Sequence, residues 1–535
     1  MSVDDTDHEL LDLVAAGRAV LGIELGSTRI KACLIGDDPR VVIASGGYEW
    51  ENELVDGYWT YSLDAVWTAL RAAYAELVTN VDSRLGVVPT TFAALGVSAM
   101  MHGYLAFDSD GELLVPFRTW RNTTTAAAAE ELTGLFGVNI PLRWSIAHLH
   151  QAVLDREPHI DRIRSFTTLA GYVHRQLTGR NVLGVGDASG MFPIDPATGD
   201  YDAGLLARYD GLAAASGPRV GLRELLPEVM VAGADAGRLT SEGAALLDAT
   251  STLQPGALVC PPEGDAGTGM VATNAIAPRT GNVSAGTSIF AMVVLERSLA
   301  RLHREIDIVT TPVGDPVAMV HCNNGASELA AWVGVFQRFA ELASAPADSD
   351  AVYDLLFREA LDGAADAGGL LAFNQVAGEP IAGLDEGRPL VVRTPESRLT
   401  LASLMRAQLY GVFATLALGM QVLADEGVAL DRMHAHGGLF RTAGVAQRFL
   451  AAALDARVST TSTASEGGAW GMAVLAGFAG SGAGSTLDSY LRDRVFADIR
   501  LVNADPDPAD VAGFAAYLDR YRDGLEIVRS AATAL

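Results

Sequence analysis

The sequence predicts an α/β protein made of two duplicated α/β domains that face each other across a cleft. An apolar strand near the start leads into the turn Gly26-Ser27-Thr28 and a second strand. The same order returns 260 positions later (286 − 26), where Gly286-Thr287-Ser288 joins two strands rich in β-forming residues. Segments of helical periodicity separate these units, which is typical of α/β folds. We call these turns the first and the second glycine turn.

The elements follow from the sequence in chain order. Short strands over residues 19–25, 30–35 and 41–45 predict an antiparallel meander. Helical spacing of apolar residues indicates helices over 61–79, 126–136, 146–154, 167–177 (closed by Gly179), 404–423, 445–454 and 511–532, with strands at 93–99 and 104–108. Residues 4–16 fit a short leading helix or a frayed segment equally well. With no low-complexity linker, the duplication places the domain boundary near residues 274–281.

Composition excludes several classes of partner. A net charge of −27 over 535 residues argues against nucleic acid and anionic membranes, which require a basic surface. No stretch approaches 18 apolar residues and the acidic N-terminus lacks the features of a signal peptide, so a cytoplasmic protein is expected. Cys33, Cys260 and Cys322 are far apart, which favours buried free thiols.

Asp265 is the strongest candidate for chemistry. It lies in Gly264-Asp265-Ala266-Gly267, where small residues allow a ligand to approach the backbone closely. The second glycine turn follows and offers backbone N–H groups and hydroxyls to a phosphate. An acid followed by such a turn indicates phosphoryl transfer to a hydroxyl group. Two ordinary glycine-rich loops remain the alternative at this point. Gly437 and Gly438, just before a predicted helix, would let a nucleotide lie against bare backbone.

Together these stretches resemble the FGGY carbohydrate kinases, of the sugar kinase/actin/Hsp70 superfamily. Five motifs occur in the family's order: Glu24 to Thr28 with Lys31, Met101-His102-Gly103, Gly264-Asp265, the second glycine turn, and Gly437-Gly438 with Gln447 followed by Glu466-Gly467-Gly468. The resemblance implies two ribonuclease-H-like (actin-like ATPase) domains flanking a deep cleft. It implies an N-terminal extension over 1–18, a sugar-binding domain over 19–275 and a nucleotide-binding domain over 276–535.

The resemblance also implies roles for single residues. Asp265 would be the general base and, with Glu24, would serve Mg²⁺; Met101, His102, Trp120 and Asp265 would contact the sugar. ATP would be bound by Gly26, Ser27, Thr28, Lys31, Gly286, Thr287, Ser288, Gly437, Gly438 and Gln447. A P-loop is excluded, since the pattern GxxxxGK[ST] is absent. The expected partners are therefore ATP and a small sugar, and a homodimer stays open.

Two departures from the family keep the activity open. Glu24 stands where the family has Asp, and Trp120-Arg121-Asn122-Thr123-Thr124 replaces a Trp-x-Asp-x-Arg segment. The resemblance favours a ketopentose such as xylulose or ribulose as the substrate class. A related ketose or a polyol is the alternative substrate class. The rival hypothesis is a non-catalytic or ATP-hydrolysing sugar sensor on the same fold.

Overall fold

The computed structural model describes residues 3–345, 348–460, 467–482 and 484–534. The chain divides into two compact units that interleave along the sequence. The first comprises residues 1–276, 308–317 and 463–498, and the second comprises residues 277–307, 318–462 and 499–535. The sequence pattern predicts a single boundary near residue 275; the chain in fact leaves the first unit there and returns to it twice.

The first unit contains a six-stranded sheet that begins with the predicted meander. Its strands are Val20–Leu25, Arg29–Ile35, Val42–Glu49, Ala94–Ala99, Leu258–Val259 and Glu263–Gly264. The first three pair antiparallel in chain order. Strand Ala94–Ala99 then pairs in parallel with Val20–Leu25 on one side and with the two short strands on the other. The meander is confirmed as an antiparallel unit that continues into parallel strands.

A seven-stranded sheet with the same core order lies mainly in the second unit, and residues 308–310 and 316–317 of its strands belong to the first. Its strands are Thr280–Ala285, Ile289–Val294, Ile306–Thr310, Pro316–Cys322, Arg432–His436, Arg457–Thr460 and Val502–Ala504. Strand Thr280–Ala285 pairs antiparallel with Ile289–Val294 and in parallel with Arg432–His436, as Val20–Leu25 does with its two neighbours. This repeated order is the ribonuclease-H-like arrangement of actin-like ATPases, so the predicted α/β duplication is confirmed.

Helices cover both sheets. In the first unit they are Val3–Ala15, Leu63–Leu85, Ala126–Phe136, Ser145–Leu154, Leu169–Thr178, Val185–Ala188, Ala203–Ala213, Leu222–Leu225, Ser241–Leu247, Asp265–Ala272, Gly467–Gly480 and Leu487–Tyr490. In the second unit they are Ser327–Leu342, Ser349–Ala360, Leu401–Asp425, Val445–Leu454 and Pro508–Ala534. The predicted helix ends hold to within three residues, except that the helix predicted over 61–79 continues to Leu85. Gly179 caps its helix with φ of 75°.

Two helices show how residue type sets the packing. Helix Gly467–Gly480 lies so close to the first strand that a Cβ added at Gly22 would be 2.1 Å from the carbonyl oxygen of Ala469. Small residues on both partners permit this approach. Helix Leu401–Asp425 is long and apolar enough to cross a membrane, but 72% of its most apolar window is buried in the protein, as expected of a core helix.

The N-terminal segment is a helix that joins the first core. Leu10, Leu13 and Val14 are buried in the core of the first unit, so the second half of this helix packs against the domain. All three cysteines are buried and lie outside any disulfide of the described residues, as the sequence predicts.

Candidate active site

The first sheet brings three predicted site residues to one edge. Glu24 lies near the end of one strand, and Met101 and Asp265 follow the ends of two others. These strands are parallel neighbours: Glu24 is in register with Ser98, and so is Glu263 on the other side. Since ligands of open α/β sheets bind beyond the carboxyl ends of the strands, this edge is the candidate active site.

Asp265 is the first residue of helix Asp265–Ala272 and is exposed to solvent. Its Oδ1 accepts hydrogen bonds from the backbone N–H of Met101 (3.1 Å) and of Ala266 (3.0 Å). Desolvation raises the pKa of Asp265, while these two N–H groups and the charge of Arg143 act in the opposite direction. The carboxylate is therefore held in one orientation, and Oδ2 has no recorded hydrogen bond in the described part of the chain.

Glu24 lies beside Asp265 in a setting that disfavours its charge. Burial, followed by repulsion from Asp265, raises the pKa of Glu24 to about 7, although Lys31 and the N–H of Ala469 oppose the shift. Lys31 is its antiparallel partner on the next strand. A Cβ at Gly468 would lie 2.2 Å from Glu24 Oε1, so a larger residue there would displace the Glu24 carboxylate. Gly467 and Gly468 thus approach Glu24 and Lys31 in the first unit, and Glu466 lies outside the described residues.

The donor set at this edge fits Mg²⁺ shared with phosphates. Glu24 and Asp265 repel each other electrostatically, and a cation between them would relieve that repulsion. The described residues contain no group of three or more His, Cys, Asp or Glu side chains able to hold a metal. Mg²⁺ commonly takes one or two carboxylates and completes its shell with water and substrate phosphates.

The segment Met101-His102-Gly103 has an unusual backbone conformation, and contacts with Gly190 and Trp144 hold the His102 ring. His102 has φ of 69° and Gly103 has φ of 91°, so the backbone is in the left-handed region, which is uncommon for a histidine. His102 is buried, with Nδ1 3.2 Å from the carbonyl oxygen of Gly190, and its ring stacks against Trp144 at 6.4 Å. Backbone strain of this kind is typical of residues placed for function.

The carbonyl groups of the first glycine turn are held by hydrogen bonds from Trp50 and Tyr61. Trp50 Nε1 donates to the carbonyl of Gly26 (2.8 Å), Tyr61 Oη donates to that of Ser27 (2.6 Å), and the N–H of Trp50 donates to that of Thr28 (3.1 Å). The N–H of Gly26 closes the turn. In the described part of the chain, the N–H groups of Ser27 and Thr28 have no recorded acceptor. Free N–H groups in a tight turn are a site for an anion.

The second glycine turn repeats this arrangement with backbone partners. The carbonyls of Gly286 and Thr287 accept from the N–H groups of Ala326 (2.9 Å) and Gly325 (2.7 Å) at the start of helix Ser327–Leu342. The N–H of Gly286 donates to Ser288, which leaves those of Thr287 and Ser288 without a recorded acceptor among the described residues. Neither turn glycine has a positive φ, so these turns do not depend on left-handed backbone.

The glycine pair of the second unit divides into two roles. Gly437 has φ of 107°, and a Cβ there would lie 2.4 Å from the carbonyl of Ala285, so glycine is required. A Cβ at Gly438 would meet nothing within 4 Å, which leaves open space for a ligand.

The predicted nucleotide contact at Gln447 needs correction. Its side chain is buried, and Nε2 donates to the carbonyls of Val458 (2.8 Å) and Val502 (2.7 Å), which ties two strands together.

Trp120 lies at the first glycine turn. The side chain is 38% exposed, and Nε1 donates to Ser27 Oγ at 3.1 Å. Asn122, at one of the positions where the chain departs from the family, is buried, with its amide bonded to the backbone of Trp59. The altered segment is therefore held in place by hydrogen bonds to the backbone of Trp59.

Two buried acids beneath Asp265 were not predicted as site residues. Glu263 accepts from the N–H groups of Gly186 (3.3 Å) and Asp187 (3.1 Å), and burial raises its pKa to about 8. Asp187 accepts from the hydroxyl of Thr168 (2.6 Å), and its buried Oδ1 has no partner among the described residues. Burial raises the pKa of Asp187 to about 7. The sequence offers one signal for these acids, namely the glycines on either side of the Asp187 segment. A Cβ at Gly186 would lie 2.3 Å from Glu263 Oε2, so a residue without a side chain favours the close approach of Glu263.

Two sheets with the same core strand order define the two-domain fold of the actin-like ATPase superfamily. Residues 19–253 match the N-terminal domain of the FGGY family of carbohydrate kinases, and residues 281–480 match its C-terminal domain. The chain belongs to this family, whose members are phosphotransferases.

Solved structures of several sugar kinases share the fold. The xylulose kinase from Rhodospirillum rubrum is 21% identical, with a TM-score of 0.77 over 96% of this chain and 99% of that one. The gluconate kinase from Lactobacillus acidophilus is 16% identical, with a TM-score of 0.76 over 96% of this chain and 98% of that one.

A relative was also found by sequence. The glycerol kinase of Thermococcus gammatolerans is 27% identical over 203 residues, which span 35% of this chain and 40% of that relative.

Proposed function

We propose that the protein transfers the γ-phosphoryl group of ATP to a hydroxyl group of a ketose, and that the acceptor is a ketopentose such as xylulose or ribulose. The observation that carries this proposal is the position of Asp265, whose carboxylate is fixed by the N–H of Met101 next to His102. A carboxylate held beside a polar loop at the ends of parallel strands suits a general base for a sugar hydroxyl.

The proposed reaction transfers one proton to Asp265 and one phosphoryl group to the acceptor. Asp265 takes the proton of the attacking hydroxyl, the hydroxyl oxygen forms a bond to the γ-phosphorus, and the bond from that phosphorus to the bridging oxygen of ADP breaks. Positioning and charge stabilisation dominate such transfers, because the transition state is loose and the base takes its proton late. Asp265 is oriented by two backbone N–H groups and needs no rotation to accept that proton.

The charges of the phosphates are the second requirement. The free N–H groups of the two glycine turns, together with Ser27, Thr28, Thr287 and Ser288, are proposed to bind phosphate oxygens, with Lys31 adding positive charge. Glu24 and Asp265 would hold Mg²⁺, which when bound neutralises charge on the transferred phosphoryl group. Gly438 is proposed to lie against the nucleotide, whereas Gln447 is left out because its amide is committed to two strands.

The substrate class rests on fewer observations. Met101-His102-Gly103 resembles the xylulokinase segment, and we propose that His102, whose backbone is left-handed, contacts the sugar. Structural relatives named for xylulose and for gluconate have similar TM-scores, and the glycerol kinase is a relative in sequence. The choice among these acceptors therefore needs a direct measurement.

A coupled assay of ADP release tests the proposal. The purified chain would receive ATP and Mg²⁺ with D-xylulose, D-ribulose, L-ribulose, gluconate or glycerol in turn, and Asp265→Asn would serve as the matched control. We expect ADP release that depends on a ketopentose and on Asp265. ATP turnover that is the same with every acceptor would favour the sensor hypothesis, for which Glu24 and the altered Trp120 segment are the motivation.

A further inference from the structure

Trp120 is mounted on a rigid turn. The N–H of Asn122 donates to the carbonyl of Thr119 (3.1 Å), which closes a β-turn with Trp120 and Arg121 at its two central positions. The backbone and side chain of Thr119 and the amide of Asn122 all bond to the backbone of Trp59. Arg121 lies over the ring of Trp59 at 4.2 Å. The backbone at Trp120 therefore has little freedom.

The first glycine turn is fixed by the same segment of chain. Trp50 and Tyr61, whose rings stack at 4.2 Å, bind the carbonyls of this turn. Trp50 and Tyr61 stand on either side of a short hairpin formed by strands Glu53–Val55 and Tyr58–Thr60, and that hairpin contains Trp59. We call Trp50, Trp59 and Tyr61 the aromatic frame. It supports the glycine turn and the Trp120 turn at the same time.

One hydrogen bond joins the two turns across this frame. The indole N–H of Trp120 donates to Ser27 Oγ at 3.1 Å. A serine hydroxyl has one hydrogen to donate and two lone pairs to accept. When the indole occupies one lone pair, the hydroxyl hydrogen is turned away from Trp120. The hydroxyl hydrogen remains available to an anion, and so do the N–H groups of Ser27 and Thr28, which have no acceptor among the described residues.

We propose that Trp120 is a positioning residue that couples the binding of the sugar to the binding of the phosphates at the first glycine turn. This inference rests on the proposed function, in which the exposed face of Trp120 is a wall for the sugar. A sugar packed on that face restricts the indole and so fixes the direction of the Ser27 hydroxyl. Binding of the acceptor then increases affinity for the nucleotide, and by linkage the nucleotide increases affinity for the acceptor to the same extent.

The test is a double-mutant cycle on this coupling. Calorimetry would measure the Kd of the non-hydrolysable analogue AMP-PNP with Mg²⁺, with and without saturating acceptor. The acceptor is whichever of D-xylulose, D-ribulose, L-ribulose, gluconate and glycerol best stimulates ADP release. Trp120→Phe keeps the ring and removes the N–H, and Ser27→Ala removes the acceptor of that bond. Ser27→Thr restores a hydroxyl.

The expected result is a wild-type coupling factor of about fivefold or more. Trp120→Phe and Ser27→Ala should each lower this factor by about threefold or more, the range for losing one hydrogen bond. The double variant should lower it no further, because both changes remove the same interaction. Ser27→Thr should retain it. Trp67→Phe is the matched control, since it removes an indole N–H bond to Tyr172, of 3.0 Å, within the core.

Two results would overturn the inference, and they differ from failure of the proposed function. If the wild type couples the two ligands and Trp120→Phe leaves the coupling factor unchanged, Trp120 has no such role although the kinase stands. Additive losses in the double variant would show that the two residues act separately. If none of the five acceptors stimulates ADP release by the wild type, the proposed function fails, and this inference fails with it.

Discussion

The backbone N–H of Met101 donates to Oδ1 of Asp265 over 3.1 Å. This bond ties the proposed base to the segment that carries His102, although 164 positions separate the two residues. Because Met101 and Asp265 follow parallel neighbouring strands, the sheet brings them together without any local sequence signal. The orientation of the carboxylate is thus a property of the fold.

His102 is the proposed sugar contact. His102→Ala should raise the KM for the best acceptor about threefold to tenfold, the range for one lost hydrogen bond, while the KM for ATP changes less. His102→Asn is the companion variant, because Asn tolerates the left-handed backbone at φ of 69° and keeps a polar group. Steady-state kinetics with each substrate varied in turn would measure both constants. An effect confined to ATP would remove His102 from the sugar site.

Glu24 should control the response to Mg²⁺. Glu24→Asp shortens the side chain by one methylene and should shift the Mg²⁺ concentration that gives half-maximal rate. The pKa of Glu24 is raised to about 7, so protons compete with Mg²⁺ below that pH. In the wild type the half-maximal Mg²⁺ concentration should therefore be higher at about pH 6 than at about pH 8.

The control for this prediction is Glu24→Gln, which cannot ionise. Its Mg²⁺ requirement should vary less between the two pH values than that of the wild type. Identical Mg²⁺ titrations for the wild type and Glu24→Asp at both pH values would place Glu24 outside the metal site.

The second glycine turn should bind phosphate. Gly286 has no positive φ, and a Cβ there would meet no protein atom within 4 Å, so Gly286→Val should fold normally. Its branched side chain would instead fill the space in front of the free N–H groups and weaken nucleotide binding. Gly484→Val is the control, since a Cβ at Gly484 would also meet no described atom within 4 Å. Equal affinity of Gly286→Val and the wild type for AMP-PNP in calorimetry would contradict a phosphate role.

Asp187 should make stability depend on pH. Burial raises its pKa to about 7 from an ordinary value of 3.8, so the folded protein binds the proton more tightly than the unfolded chain. The free energy of unfolding therefore falls as pH rises between those two values. Asp187→Asn should show a smaller drop in Tm between about pH 5 and about pH 8 than the wild type. Asp110→Asn, at an exposed position, should match the wild type; an equal drop in Asp187→Asn would refute the assignment.

Sequence patterns were sufficient where the signal was local. The two glycine turns, their flanking strands and the helices at Ala126–Phe136 and Val445–Leu454 follow from β-forming runs and helical spacing. The environment of Tyr410, in helix Leu401–Asp425, could not be predicted from the sequence. Tyr410 is fully buried, donates to the carbonyl of Ala365 and packs edge-on against Phe449. It is a core residue whose phenol is satisfied by backbone.

Contacts between distant segments could not be predicted in this way. Glu263 lies two residues before Asp265, but its partner Asp187 is 76 positions away, and only the fold shows that the two acids are neighbours. Gln447 was assigned to the nucleotide by resemblance, whereas the strands that accept its amide hydrogens lie later in the chain. Helix Gly467–Gly480 likewise belongs to the first compact unit, because its small residues pack on the first strand.

The most direct test of the account is the rate of sugar phosphorylation by Asp265→Asn. Asn can still accept the N–H of Met101, so the fold and the binding of both ligands should be preserved, but it is a far weaker proton acceptor. We predict that kcat falls by about 10²–10⁴ while calorimetric Kd values for the acceptor and AMP-PNP stay close to those of the wild type. A kcat within about twofold of the wild type would contradict the assignment of Asp265 as the general base.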